Sequence, residues 1–225
     1  MAVVERFTKK RILYSILVPP LAFAPAGILL FLLGIEVSII RDIWYLSIFI
    51  SCVMLARRDG TSLSQIGLSK RNLGQSLLLA TAWELVTFFS LGIVPFYAIA
   101  GRLPTLTRFE WSVITQAIHF MLVGLSEETW VRGLLLKRLT EWKPKGLAPV
   151  MWSSMIFVLF HLPATFFIIV QDTGTIPLLI FSWLSLLIWS AGLAVVVLKT
   201  GNLLGPIVVH WLDDLVSKVL YPLQL

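Results

Sequence analysis

Seven mostly apolar runs of 14 to 24 residues follow one another along this chain: 12–33, 43–56, 77–100, 113–136, 147–170, 178–198 and 203–221. About 20 such residues cross a hydrocarbon core about 30 Å thick, and a lipid-buried backbone must satisfy its own hydrogen bonds. The runs therefore predict an all-α, polytopic membrane helix bundle with about seven transmembrane helices. The 43–56 run is short; it also fits a re-entrant or tilted segment, or one extended back through 37–40. Charge agrees with a membrane location, since only 13% of residues are charged and 58% are hydrophobic, against about 25% charged in soluble domains. A disordered chain, a coiled coil and an ordinary soluble globule are excluded. The single cysteine, Cys52, cannot form an intramolecular disulfide.

The net charge of +6 reads as orientation, so no nucleic-acid partner is needed to explain it. With the N-terminus in the cytoplasm, thirteen Lys and Arg fall on inner segments and four (Arg41, Arg102, Arg108, Lys218) on outer ones. Arg6, Lys9, Lys10 and Arg11 precede the first run as in a signal peptide, and 22–24 offers a small-residue cleavage pattern. The run continues to Leu33, so an uncleaved anchor is expected. No connecting loop is long enough for a soluble domain, and residues 1–225 read as one membrane domain. Residues 61–72 are expected as an interfacial helix, with Leu63, Ile66 and Leu68 toward lipid and Lys70 and Arg71 toward headgroups.

Ionisable groups inside spans are expensive, about 2.5–3.5 kcal/mol each on insertion scales, so each is a functional candidate. The fourth run holds Glu127, Glu128 and Arg132, the fifth His161 ahead of Pro163, and the seventh His210, Asp213 and Asp214. Glu128 and Arg132 are four residues apart, share a helical face and form a structural pair. Glu127 is turned about 100° from Glu128, which leaves it free for chemistry. His210 and Asp214 form a second i,i+4 stripe. Glu127 lies ten residues before Lys137, about 15 Å from the inner surface at 1.5 Å per residue. Pro163 leaves the carbonyl of Leu159 without its helical partner, which lipid does not tolerate unless protein or water covers it. His119 and Glu84 read as interhelical hydrogen-bond formers, and Asp213 as a cap or a water-facing group.

A carboxylate and two imidazoles in a polar intramembrane cavity can activate water. Glu127 would accept the proton, His161 would hold the water or a metal, and His210 with Asp214 would stabilise the oxyanion or complete a metal site. Glu127, His161, His210 and Asp214 also make up a set of the kind that binds Zn²⁺ tetrahedrally. The His-Glu-x-x-His spacing that would favour zinc is absent. Both arrangements stay open.

Glu-Glu-x-x-x-Arg (127–132), Phe-x-x-x-His (157–161) and His-x-x-x-Asp (210–214), in that order on separate runs, resemble the CPBP family. This family comprises CAAX-type intramembrane endopeptidases and bacteriocin-processing or Abi proteins. Ser126 before the first motif, Gly133 and Leu134 after it, and residues 199–210 leading into the third resemble it too. The likeness covers 118–217, the motif-bearing core. It implies a membrane protease that cleaves a membrane-associated peptide, prenylated CAAX segments in eukaryotic members, near the cytoplasmic face. Glu127 takes the position of the water-activating glutamate, Glu128 and Arg132 those of the second glutamate and arginine, and His161 and His210 those of the two histidines. The last family position is usually Asn; Asp214 can only accept hydrogen bonds when ionised, which shifts it from oxyanion donor toward orienting His210 or binding metal. The resemblance also places the protein in the cell membrane of a prokaryote or the endoplasmic reticulum of a eukaryote. A non-catalytic immunity or scaffold protein binding a partner in the same pocket is the alternative. A proton-coupled transporter would need mirrored broken helices in two halves, whereas the polar clusters all follow residue 118.

Overall fold

The computed structural model describes residues 2–95, 97, 112–144, 146–173 and 176–220, and among these all regular structure is helical, with no strand. Its elements are α1 (Ala2–Leu21), α2 (Ala24–Leu32), α3 (Val37–Arg58), α4 (Leu73–Thr87), α5 (Ser112–Glu128), α6 (Lys137–Trp142), α7 (Ala148–Thr173), α8 (Ile176–Thr200) and α9 (Leu204–Leu220). Two π-helical stretches, Phe88–Ile93 and Thr129–Leu136, continue α4 and α5.

Most departures from the expected runs have a local cause. The first run breaks into α1 and α2 at Ala22 and Phe23, beside Pro19, Pro20 and Pro25. Proline removes an N–H and disfavours the helical conformation of the residue before it. The short second run extends back through Val37 to give the 22-residue α3. The interfacial helix expected over 61–72 does not form: Ser64–Ile66 makes a single 3₁₀ turn, and Gly60, Gly67 and Asn72 take left-handed backbone angles that stop a helix. Ile66 turns into the core instead, 2% exposed. Pro163 does not end α7, which runs on to Thr173. Arg102 and Arg108 of the outer set, and the ends of the third and seventh runs at Ala100 and Tyr221, lie outside the described residues.

By length and composition, four helical stretches can cross a membrane: Thr8–Leu32, Val37–Arg58, Leu73–Ile93 and Ile176–Thr200, with Ala148–Pro163 as a shorter apolar helix. The expected count was seven. The other two runs are interrupted by the groups that make them interesting, Glu127, Glu128 and Arg132 in one and Asp213 and Asp214 in the other.

One core serves most of these helices. Ile48 and Cys52 of α3, Ala80 of α4, Trp130 and Leu134 of the second π stretch, Phe157 of α7, Leu193 of α8 and Val209 of α9 pack into a single cluster. The basic segments 57–58, 70–71, 137–138 and 199 come together at one end. There, Arg138 bonds Asp59 at 2.5 Å and the carbonyl of Arg11 at 2.6 Å. Asn202 donates to the carbonyls of Ser69 and Arg71, both at 2.7 Å, and accepts the first helical N–H of α9 from Leu204 at 2.8 Å.

Two glycines set the helix spacing that the site needs. A Cβ on Gly124 of α5 would stand 3.1 Å from the Ile207 carbonyl and 3.3 Å from the Trp211 nitrogen of α9. A Cβ on Gly205 of α9 would collide with the backbone of Ser76 in α4. The first absence lets α9 close onto α5 and the second lets it close onto α4, so α9 can carry polar groups toward both neighbours.

Candidate active site

The second π-helical stretch starts directly after Glu128, and all eight of its residues are buried. Widened turns of this kind are frequent at functional sites. Across it Arg132 reaches back to Glu128 at 2.9 Å, with both side chains 0% exposed. The expected structural pair is formed. Arg132 also donates to Ser190 Oγ of α8 at 2.9 Å, and its guanidinium carbon lies 4.5 Å from the Phe157 ring centre. A buried charge needs this much company, because neither ion can be left unpaired in a low-dielectric interior.

The same Glu128 oxygen accepts from His210 Nδ1 at 2.9 Å. That bond fixes the imidazole and turns Nε2 toward Glu127 Oε2, 3.8 Å away, and Asp214 Oδ2, 3.7 Å away. His161 is held in the same manner from its own helix: Nδ1 bonds the Phe157 carbonyl at 2.9 Å. A carbonyl only accepts, so Nδ1 carries the proton and Nε2 presents a lone pair when the ring is neutral. That lone pair faces Glu127 Oε2 at 3.7 Å. Glu127 Oε2 has no hydrogen-bond partner, and its side chain is 8% exposed. Glu127, His161, His210 and Asp214, which the sequence distributes over three helices, thus meet at one point.

A cavity of about 420 Å³ opens beside them, lined by His161, His210 and Asp214 together with Glu84, Phe157, Trp189 and Asp213. Glu127 is not among the residues that line it. Two of the lining acids, Glu84 and Asp213, occupy none of the named motif positions. Glu84 does bond another helix, accepting from Trp189 Nε1 at 2.6 Å, but it also faces the cavity. Asp213, expected as a cap or a water-facing group, lines the cavity, and its side chain hydrogen-bonds that of Glu84. His119 makes the interhelical bond expected of it, to Asp42 of α3.

Other neighbours gave no signal in the sequence. Tyr45 of α3 points its phenol at Glu127, and its backbone is tied to the motif helix by Ser126 Oγ at 2.7 Å. Trp189 stands edge-on to His210, with ring centres 4.9 Å apart. An aromatic residue in an apolar run has nothing to distinguish it from an ordinary lipid-facing or core residue, so only the fold exposes these roles.

The four side chains that could bind Zn²⁺ meet, but not at the spacing of zinc ligands. Among the described residues no three His, Cys, Asp or Glu side chains group so as to hold a metal ion. Both Nδ1 atoms are engaged, so only the Nε2 atoms are open, and their gaps to the carboxylates are 3.7–3.8 Å, wider than the roughly 3.3 Å edge of a tetrahedron with zinc–ligand bonds near 2.0 Å.

Residues 109–216 match the Rce1-like family, described as type II CAAX prenyl endopeptidase Rce1-like. No curated protein and no solved structure matches the chain. The matched stretch contains Glu127, Glu128, Arg132, His161, His210 and Asp214, while Tyr45 and Glu84 lie ahead of it. Helices apolar enough to cross a bilayer and a family of membrane endopeptidases agree on an integral membrane protein. Through the segment that bears its buried polar groups, the chain is similar to the Rce1-like CAAX endopeptidase family.

Proposed function

We propose that this protein is an intramembrane endopeptidase in which Glu127 activates a water molecule against a peptide bond of a membrane-associated substrate. One observation carries the reading: the partnerless Glu127 Oε2 faces the Nε2 atoms of His161 and His210 at 3.7 and 3.8 Å. These gaps are too long for direct hydrogen bonds, and a water about 2.8 Å from both atoms of either pair fits each gap. Such a water donates one O–H to Glu127, which takes that proton as the oxygen attacks the scissile carbonyl through a lone pair, and hydrogen-bonds through the other O–H, which it keeps, to the neutral His161 Nε2. As the tetrahedral intermediate forms, His210 in its doubly protonated form donates Nδ1–H to Glu128 and offers Nε2–H to the oxyanion. Asp214, an acceptor at 3.7 Å from His210 Nε2, orients that ring. Glu127 then passes its proton to the departing amine.

The family description makes a CAAX-ended, prenylated peptide the first substrate to try. The basic end of the bundle is assigned to the cytoplasm by the positive-inside rule, which puts the site within reach of a substrate anchored in that leaflet. The test is mass spectrometry of fragments from a farnesylated CAAX-ended peptide incubated with the protein in vesicles. Cleavage is expected from the wild type and not from Glu127→Ala. Equal cleavage by both refutes the assignment. Because the donors are spaced for water, activity is also expected to persist after metal removal verified by elemental analysis; loss restored by Zn²⁺ alone would show that an ion is required.

A further inference from the structure

We propose that Glu84, a residue of α4 ahead of the family-matched stretch, is a positioning residue that braces His210 through the indole of Trp189. The inference rests on the proteolytic reading above. Trp189 is held at two points: its Nε1 donates to Glu84 Oε2 at 2.6 Å, and its carbonyl accepts from Trp83 Nε1 at 3.1 Å. So fixed, the indole stands against His210 with ring centres 4.9 Å apart and planes at 80°. The Glu128 bond restrains His210 at Nδ1 only, and an imidazole held at one atom can still pivot. The indole blocks that motion, keeping Nε2 beside Glu127 and Asp214.

Asp213 completes the brace from the helix that carries His210. Its side chain hydrogen-bonds Glu84, and two carboxyl groups can do so only with a proton between them. Glu84 thereby ties α4 to α8 through Trp189 and to α9 through Asp213. Gly205 makes the contact geometrically available, since any Cβ there would push α9 off Ser76 of α4. What the brace needs from position 84 is one acceptor for the indole and one hydrogen bond to Asp213; a negative charge is not required. Glutamine supplies both, its carbonyl accepting from Trp189 and its amide donating to an ionised Asp213.

That equivalence gives the test. Peptide cleavage is measured in vesicles for the wild type, Glu84→Gln, Glu84→Ala and Trp189→Phe, with Glu127→Ala as the inactive reference. In parallel, ¹⁵N spectra of the histidine rings are recorded, of which the chain has three. Glu84→Gln is expected within about threefold of the wild type. Glu84→Ala and Trp189→Phe are expected to lose on the order of 10²-fold in kcat, the effect of misplacing a reacting group by about 1 Å, with KM unchanged. The His210 ring resonances should shift in the Ala and Phe variants and stay in place in the Gln variant. The brace is overturned if Gln is as inactive as Ala, if Ala matches the wild type, or if the loss falls on KM. Should Glu127→Ala prove as active as the wild type, the proteolytic reading fails, and the ring spectra alone decide whether Glu84 holds His210.

Discussion

Replacing Glu127 by Gln is expected to lower kcat for peptide cleavage about 10³-fold, within the range that removing a positioned general base produces, while KM changes little. Gln preserves the shape and one acceptor oxygen, so a bound water keeps its place and loses only the group that takes its proton. Glu127→Asp should fall between the two, because the shortened carboxylate retreats from His161 and His210, which stand 3.7 and 3.8 Å away in the wild type. Rates come from single-turnover assays in vesicles, with thermal unfolding as the check on folding. A large rise in KM at unchanged kcat would mean that Glu127 binds substrate and does not activate water.

The second large effect is on stability. Arg132→Ala is expected to destabilise the protein by about 3–5 kcal/mol, because it leaves the Glu128 carboxylate buried with only part of its compensation. The wild-type pair is 0% exposed on both sides, and Glu128 Oε1 is shared between Arg132 and His210 at 2.9 Å each. Glu128→Ala should be similar in size, since it strands the guanidinium. A double Glu128→Met, Arg132→Leu variant should recover much of the loss, as apolar replacements of buried pairs often do. It should still cleave poorly, because His210 Nδ1 no longer has the acceptor that aims the ring. Unfolding titrations in detergent measure the first effect and vesicle cleavage the second. Full activity in the refolded double variant would show that the pair plays no part in placing His210.

What was legible in the sequence, and what was not, follows from the range of the forces involved. Run length and hydropathy fix helices, since a lipid-buried backbone has few alternatives, and α7, α8 and α9 fall close to where the pattern puts them. The Glu128–Arg132 pair was legible because i,i+4 contact is local. The failures are also physical. Residues 61–72 carry an apolar–basic pattern that suits an interfacial helix, yet the left-handed turns at Gly67 and Asn72 and the burial of Ile66 in the core override it. Glu84 was legible as an ionisable group in a span, and its bond to another helix was anticipated; the pairing with Asp213 and the shared cavity depend on α4 meeting α9 at Gly205, which no local pattern encodes. The meeting of Glu127, His161 and His210 is likewise tertiary. It depends on the close approach at Gly124, and only a family resemblance could suggest it beforehand.

The claim that Glu127 and His161 act on one water can be tested with a double variant. Single-turnover cleavage is measured in vesicles for Glu127→Gln, His161→Ala and the two combined, under one set of conditions. Groups that act as a unit are strongly non-additive, so the combined variant is expected to be no more than about threefold slower than the slower single variant. Losses that multiply would mean that the two residues serve separate steps, and would contradict a shared site.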